Sequence, residues 1–278
     1  MIYIITALML EASPIVDYYK LKRDMSINPY PVFANKDISL IVSGVGKVKA
    51  AMAATFLRST FGSTANDIII NVGFCGASVC KYPLGSLLLI NKITDLDTGK
   101  DYYPDVYAGD YLPKEAVACC SKLVRHDNSQ YEENFFDMES AGIMEVAYKF
   151  FNTHQVAILK IVSDFLTPEN LDKQVLRGYI NDNIPILDRI INELKQLNNI
   201  VNSLNFEQEE KLISIISQNV RLSSAMKGIL EGEVRKAKIR GLETLEILEN
   251  HLDSKANTKL EGKKIFVQII EDIRQKTF

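Results

Sequence analysis

The sequence has few cysteines, few histidines, no tryptophan and no excess of basic charge. Its four cysteines form no C-x-x-C pair, which excludes a disulfide-rich fold and predicts a reducing, cytoplasmic location. The three histidines are scattered, so no zinc-ligand spacing is present and we expect no metal. A formal net charge of −3 gives no basic face for a nucleic acid, and a small molecule is the expected partner.

A long apolar run is also absent. The N-terminal segment MIYIITALML is apolar, but Glu11 ends it after about ten residues, too few to span a bilayer. It lacks the basic flank of a signal peptide. The segment therefore predicts a buried first strand, and we expect no membrane partner.

With 278 residues, of which 47% are hydrophobic, the chain suits one large α/β domain and an appendage. Short runs rich in Ile, Val and Leu alternate with helical patterns, which indicates a layered domain whose sheet is covered on both faces. The predicted strands are 2–7, 38–43, 67–72, 86–91 and 156–162. The predicted helices are 47–61, 138–151 and 184–198. Residues 99–137 are the least regular part.

The pattern changes near residue 200, and we predict two domains, 1–200 and 201–278. The second part has no proline and no strand candidate, and its apolar residues recur at helical spacing. Three or four amphipathic helices must bury these stripes against each other, the first domain or a partner chain. The stripes are Leu212, Ile215, Ile216 and Val220; Leu242, Leu245, Leu248 and Leu252; and Ile265, Ile269, Ile270 and Ile273.

Three acidic residues stand at strand ends or helix starts. Glu11 follows the first strand, Glu139 precedes a predicted helix, and Asp164 closes the strand VAILKIVSD. Ligands of open α/β sheets bind at the carboxyl ends of strands, where acids from distant segments converge. Each acid taken alone is more often a helix cap or a solvated carboxylate. Glycine turns at 43–46 and 71–76 let a backbone approach a ligand closely.

The order of these motifs carries a family resemblance. The segments ALMLE (7–11), SGVGKVKAA (43–51), NVGFCGA (71–77), DMES (137–140) and KIVSD (160–164) resemble the nucleoside phosphorylase superfamily. Within it they are most similar to the 5′-methylthioadenosine/S-adenosylhomocysteine nucleosidases. The resemblance implies a three-layer α/β/α domain with a central mixed sheet, followed here by an all-α C-terminal extension. The resemblance ends near residue 198.

The resemblance also implies roles for individual residues. Asp164 would protonate or hydrogen-bond purine N7, and Glu11 would orient or deprotonate the attacking water. Glu139 would bind the ribose hydroxyls, and Met138 would pack beneath the sugar. Four further residues would belong to the substrate site: Gly73, Phe74, Ser163 and Lys160.

The implied reaction is hydrolysis of the N-glycosidic bond of a purine nucleoside or a 5′-modified relative. Carboxylates near the sugar stabilise its positive charge, and an acid–base pair completes the reaction without a cofactor. Phosphorolysis would need a phosphate site, commonly with arginine. The superfamily's phosphorylases have arginine where this chain has Asn71, and they lack the counterpart of Glu11.

The chain departs from the nucleosidase pattern in places. Phe74 replaces a small polar residue, Lys160 replaces arginine, and the segment between Gly85 and Glu139 is shortened. Candidates for a wall that stacks on the base are Tyr102, Tyr103, Phe135 and Phe136, although such aromatics are more often core.

Two alternatives stay open, a nucleoside-binding sensor or scaffold without turnover and a purine nucleoside phosphorylase. By resemblance we also expect a homo-oligomer, a dimer, with the C-terminal helices as a candidate interface.

Overall fold

The computed structural model describes residues 1–61, 66–125, 133–167, 171–203 and 206–275. The chain divides into two compact units, Met1–Asn199 and Ile200–Phe278. The first unit contains every β-strand of the described ranges, and the second contains only helices and turns.

The first unit is built on one mixed sheet of ten strands in the described residues. These strands are β1 (Ile2–Thr6), β2 (Lys22–Arg23), β3 (Val32–Ala34), β4 (Ile38–Val42), β5 (Ile68–Ala77), β6 (Leu87–Asp95), β7 (Lys100–Tyr102), β8 (Lys114–Cys119), β9 (Phe135–Asp137) and β10 (Val156–Asp164). Most of the longer strands are buried along nearly their whole length, as expected for a sheet covered on both faces.

Strand β5 joins an open part of the sheet to a closed part. Its first half pairs in parallel with β1, which pairs in parallel with β4. Its other edge pairs in parallel with β10, and its last two residues pair with β9. Strands β5, β9, β8, β6 and β10 form a closed ring of pairings. The carboxyl ends of β1, β4, β5 and β10 therefore lie at one edge.

Helices cover both faces of this sheet. Helices α2 (Lys47–Thr60) and α3 (Ser140–Phe150) bury small and apolar residues against one face. Helices α1 (Met9–Tyr19) and α4 (Lys173–Ser203) contribute to the core on the other face. The predicted α/β/α class with a mixed sheet is confirmed.

All five predicted strands are present, and β5, β6 and β10 extend beyond their predicted ends. Helix α4 begins well before Ile184 and continues past Asn198. The irregular region 99–137 contains three strands that were not predicted, β7, β8 and β9. Two of them have only three residues, and β8 (KEAVAC) has few β-branched residues, so their pattern is too weak to identify in the sequence.

The second unit has its own core. It contains α5 (Glu207–Asn219), α6 (Ser224–Ile239), α7 (Thr244–Glu249) and α8 (Lys259–Gln275). The predicted stripes are largely buried among these helices, with Ile216, Leu248 and Ile269 fully enclosed. Ile215 is an exception, since it is 47% exposed. Its neighbour Ile216 takes the inward position, so Ile215 points outward, contrary to the predicted stripe.

No helix in the described ranges is long and apolar enough to cross a membrane.

Candidate active site

A cleft of about 230 Å³ lies where the strands of the first unit end. Its walls come from the segments that follow β1, β4, β9 and β10 and from the second half of β5. The residues that line it are Ala7, Leu8, Glu11, Val45, Phe74, Cys75, Gly76, Leu123, Phe136, Asp137, Met138, Glu139, Ser163, Asp164, Leu171 and Leu176. A narrower recess beside Asp164 also includes Cys120, Lys122 and Val124.

Glu11 lies on the first turn of α1 and is almost fully buried. One of its carboxylate oxygens, Oε2, accepts hydrogen bonds from the backbone N–H groups of Ala7 (2.7 Å) and Leu8 (2.9 Å). The other oxygen, Oε1, accepts from the Phe74 N–H at 3.2 Å. Burial raises the pKa of the Glu11 carboxyl to about 7, although these donors and Lys160 oppose the change. A carboxylate with this pKa can take or release a proton near neutral pH.

Glu139 is the N-cap residue of α3 and is also buried. Its Oε1 accepts a hydrogen bond from the Gly46 N–H at 3.0 Å, so the turn after β4 holds the carboxylate in place. Burial raises the pKa of Glu139, while the nearby Lys160 ammonium opposes this.

Lys160 lies in the middle of β10 and is completely buried beneath the cleft. Its Nζ forms an ion pair with Asp137 Oδ2 at 2.7 Å and lies 3.8 Å from Glu139 Oε2. Burial alone would lower the pKa of Lys160, but the carboxylates of Asp137 and Glu139 outweigh burial and raise it. Lys160 therefore stays charged and is the counter-ion of the buried acids, although it does not line the cleft.

Asp164 is the last residue of β10 and lies over Gly76 of β5. The Ser163 hydroxyl donates to Asp164 Oδ2 at 2.6 Å. A Cβ atom on Gly76 would lie 3.0 Å from Leu166 Cδ2 and 3.4 Å from Asp164 Oδ1, so the glycine chiefly makes room for the Leu166 side chain beside the carboxylate. Ser163 thus orients the carboxylate.

Gly73 has a similar spatial role beneath the cleft. A Cβ atom there would lie 3.2 Å from Glu11 Oε1 and 3.3 Å from Lys160 Nζ. The glycine therefore lets a carboxylate and a buried ammonium approach the same backbone position. Phe74 and Met138 both line the cleft.

Six of the eight predicted site residues line the cleft, and the other two, Gly73 and Lys160, lie directly behind Glu11 and Glu139. Of the four candidate aromatics, only Phe136 reaches the cleft. Phe135 is buried against Tyr82, the buried Tyr102 hydroxyl donates to Glu145, and Tyr103 is exposed. Tyr102, Tyr103 and Phe135 therefore do not form an aromatic wall for the base, and Phe136 alone of the four lies where it could do so.

Asp137 is the main site residue that was not predicted. Its Oδ2 accepts from the Ser140 N–H (2.9 Å) and pairs with Lys160, and its Oδ1 accepts from the Ser140 hydroxyl (2.7 Å). It therefore accepts hydrogen bonds from the first residue of α3 and also holds the buried cation. The motif DMES contained the signal, an acid two positions before Glu139, but only the ion pair with Lys160 reveals its role.

Cys75, Val45 and Leu123 also line the cleft. Leu123 follows β8, the strand that the sequence pattern did not reveal. In the described part of the chain, no group of three or more His, Cys, Asp or Glu side chains is arranged to hold a metal ion.

Just under half of the chain matches a known family model. The family model described as the phosphorylase superfamily matches residues 2–134. The resemblance predicted from the ordered motifs is thereby confirmed.

Known proteins similar to this chain in sequence or in structure include nucleosidases. A 5′-methylthioadenosine/S-adenosylhomocysteine nucleosidase from Listeria welshimeri is 27% identical over 173 aligned residues, covering 49% of this chain and 72% of that protein. The crystal structure of the nucleosidase of the same name from Helicobacter pylori has a TM-score of 0.58 at 17% identity, covering 69% of this chain and 97% of that one. A futalosine hydrolase from Helicobacter pylori matches with the same TM-score, identity and coverage. The chain is similar to nucleosidases in sequence, and it shares its fold with the two solved structures.

Proposed function

We propose that this protein hydrolyses the N-glycosidic bond of a purine nucleoside or of a 5′-modified purine nucleoside. The observation that carries the proposal is the chemistry of the cleft. Four carboxylic acids line it, Glu11, Asp137, Glu139 and Asp164, and no Lys or Arg does so among the described residues. Such a cleft favours a substrate that becomes positively charged as it reacts, which is the character of a ribosyl group losing its base.

We assign the acids the roles that the family resemblance implies. Asp164, oriented by Ser163, protonates or hydrogen-bonds N7, so that the base leaves with the electron pair of the broken C1′–N9 bond. Glu139 binds the ribose hydroxyls, and Met138 packs beneath the sugar. Water adds to C1′ and gives its proton to Glu11, whose pKa of about 7 suits a general base. The products are free base and free sugar.

The same cleft disfavours phosphorolysis. A phosphate dianion at this place would face several carboxylates without a cationic partner on the cleft wall. Asn71 is buried, and its side-chain amide donates to the Ile5 carbonyl at 3.1 Å, so it does not point at the cleft. Support from relatives is consistent, since the named relatives are nucleosidases and a hydrolase.

The test is release of free base, measured by chromatography. Purified protein is incubated with adenosine, inosine, 5′-methylthioadenosine and S-adenosylhomocysteine, with and without phosphate. We expect release of base from at least one of them without phosphate. Binding without release would favour the sensor alternative, and release that requires phosphate would favour a phosphorylase.

The variant Asp164→Asn should slow base release by about 100-fold or more, because general acid catalysis contributes on that order. Asp182→Asn is a matched control, since Asp182 is an exposed carboxylate on α4. Equal activity of the two variants would remove Asp164 from the mechanism.

We also propose that a second copy of the chain covers the rim of the cleft. Leu8, Met9, Val45, Val48 and Met52 are exposed, with Val48 68% and Met52 59% accessible, and Leu8 and Val45 line the cleft. Val48 and Met52 lie four residues apart on α2 and therefore share one face of the helix, and Val45 lies in the turn just before it. An apolar stripe of this kind beside a binding cleft is typical of an interaction surface.

Sedimentation analysis tests this surface. Met52→Glu should give a monomer where the wild type is a dimer. A chain ending at Asn198 tests the earlier idea of a dimer through the C-terminal helices. If only that truncation produces a monomer, the α2 surface is not the interface.

A further inference from the structure

The turn before α2 supplies the hydrogen bond that orients Glu139. Gly46 has φ +111, and its N–H donates to Glu139 Oε1 at 3.0 Å. The start of this turn is held by hydrogen bonds from the backbone N–H groups of Ser43 and Gly44 to the carbonyls at the end of β1 and just after it. Its end is continuous with the first turn of α2, so the position of the Gly46 amide depends on where α2 begins.

Lys47, the first residue of α2, fixes that position through its side chain. Its Nζ pairs with Asp95, the last residue of β6, and with Asp97 in the turn that follows. Asp95 is tied to this turn, because it accepts hydrogen bonds from the Asp97 N–H at 3.1 Å and from the Thr98 hydroxyl at 2.9 Å.

The charge of Lys47 is unexpected for a first helical position. A cation at a helix N-terminus is opposed by the helix dipole, and α2 has no side-chain cap that would compensate. Burial lowers the pKa of Lys47, but the hydrogen bonds to Asp95 and Asp97 outweigh burial and raise it. The lysine is therefore explained by its contact with the β6 turn rather than by helix stability.

The backbone of Lys47 also contacts α3, the helix that begins after Glu139. A Cβ atom on Gly142 would lie only 2.0 Å from the Lys47 carbonyl oxygen. The first turn of α2 is thus in direct backbone contact with α3 and is tied to the β6 turn by the lysine side chain.

We propose that Lys47 is a positioning residue for Glu139: its ion pairs with Asp95 and Asp97 keep the Gly46 amide on the Glu139 carboxylate. The inference rests on the proposed function, in which Glu139 binds the ribose hydroxyls. Loss of these ion pairs removes one restraint on the first turn of α2, and the turn can then pivot about its contact with Gly142, which moves the Gly46 amide relative to the Glu139 carboxylate.

The test replaces Lys47 with Met, which keeps the chain length and removes the charge. Lys47→Arg is the conservative variant expected to restore the pairs, and Lys195→Met, an exposed position on α4, is the matched control. Asp97→Asn removes one pair at a partly exposed aspartate and gives a milder variant if Lys47→Met does not fold.

The first measurement is hydrogen exchange of the Gly46 amide, which does not depend on activity. We expect exchange about ten-fold faster in Lys47→Met, an intermediate increase in Asp97→Asn and no change in the other two variants. The second measurement compares kcat/KM for a ribonucleoside with that for its 3′-deoxy analogue. Lys47→Met should lose about ten- to hundred-fold on the ribonucleoside and much less on the analogue, because only the former needs Glu139 aligned.

Equal losses on both substrates, or an unchanged Gly46 exchange rate, would overturn the positioning role. If the wild type cleaves no nucleoside, the proposed function fails separately, and the Gly46 exchange rate alone then decides whether Lys47 holds the amide on Glu139.

Discussion

Replacing Glu11 with Gln should make the stability of the first unit less dependent on pH. The pKa of Glu11 is about 7 in the folded chain against an ordinary value of 4.5. The folded protein therefore holds this proton more tightly than the unfolded chain does. The resulting stability is fully present below pH 4.5 and is lost as the pH rises through 7.

The size of the effect follows from the two pKa values. Between the limits of low and high pH, the two pKa values correspond to a loss of about 3.4 kcal/mol in the free energy of unfolding, because each pKa unit is worth about 1.36 kcal/mol. Between pH 5 and pH 8 the free energy of unfolding of the wild type should fall by about 2.5 kcal/mol through this group. Glutamine does not ionise, so Glu11→Gln lacks this contribution. The substitution also changes the hydrogen bonds to Ala7, Leu8 and Phe74. These changes alter the free energy of unfolding at both pH values by similar amounts, so they largely cancel in the comparison.

Urea unfolding followed by circular dichroism at pH 5 and pH 8 measures this difference. If the two units unfold in separate transitions, only the transition of the first unit should respond to the substitution. Asp182→Asn, the exposed control on α4, should keep the pH dependence of the wild type. If Glu11→Gln and the wild type lose the same free energy between these pH values, Glu11 is not a buried carboxyl with a raised pKa.

The same pKa predicts a pH dependence of activity. A water activator must be deprotonated, so kcat/KM should fall below about pH 7. The acidic limb should disappear, together with most activity, in Glu11→Gln. An acidic limb that persists unchanged in the variant would assign it to another group.

Three further predictions concern packing, the buried ions and the exposure of the thiols. Gly142→Ala should destabilise the first unit in urea unfolding, because its Cβ atom would overlap a backbone carbonyl. Gly178→Ala, at a helical position where a Cβ atom would meet nothing within 4 Å, should stabilise it by about 0.5–1 kcal/mol. A Gly142→Ala variant as stable as the wild type would contradict the close contact. Asp137→Asn leaves Lys160 without its nearest counter-ion and should cost about 3–5 kcal/mol of stability at pH 7; a cost below 1 kcal/mol would refute the pairing. Among the cysteines, only Cys80 is exposed, so a maleimide reagent followed by mass spectrometry should add one label rapidly to the native protein; several rapid labels would contradict the burial of the other thiols.

Much of the site could be predicted because its residues stand at local signals in the chain. Glu11, Glu139 and Asp164 each end a strand pattern or begin a helix pattern, and parallel strands place such ends at one edge. The glycine turns at 43–46 and 71–76 are likewise local signals, because they follow strand patterns directly. The order of these signals was sufficient for the family resemblance.

Asp137 shows the limit of that reasoning. Its sequence signal is one acid beside another, which is equally typical of a solvated helix start. Its partner Lys160 is 23 residues away in the numbering and stands in the middle of an apolar strand. A lysine in an apolar strand pattern can mean that the strand assignment is incorrect or that the lysine is a buried counter-ion. The choice depends on which acidic residues the fold brings close to it.

Local sequence determined the strands, the helices and the acids at their ends, because periodicity and chain reversal are properties of neighbouring residues. It did not reveal β8 and β9, which depend on pairing with distant strands for their stability. Only the tertiary structure decided how the charged residues pair and that Lys47 reaches the turn after β6. It also decided that Glu11 is desolvated enough for its pKa to rise to about 7. The physical reason is that desolvation and Coulomb energies depend on distances between residues far apart in the chain, and these distances exist only after the sheet has closed.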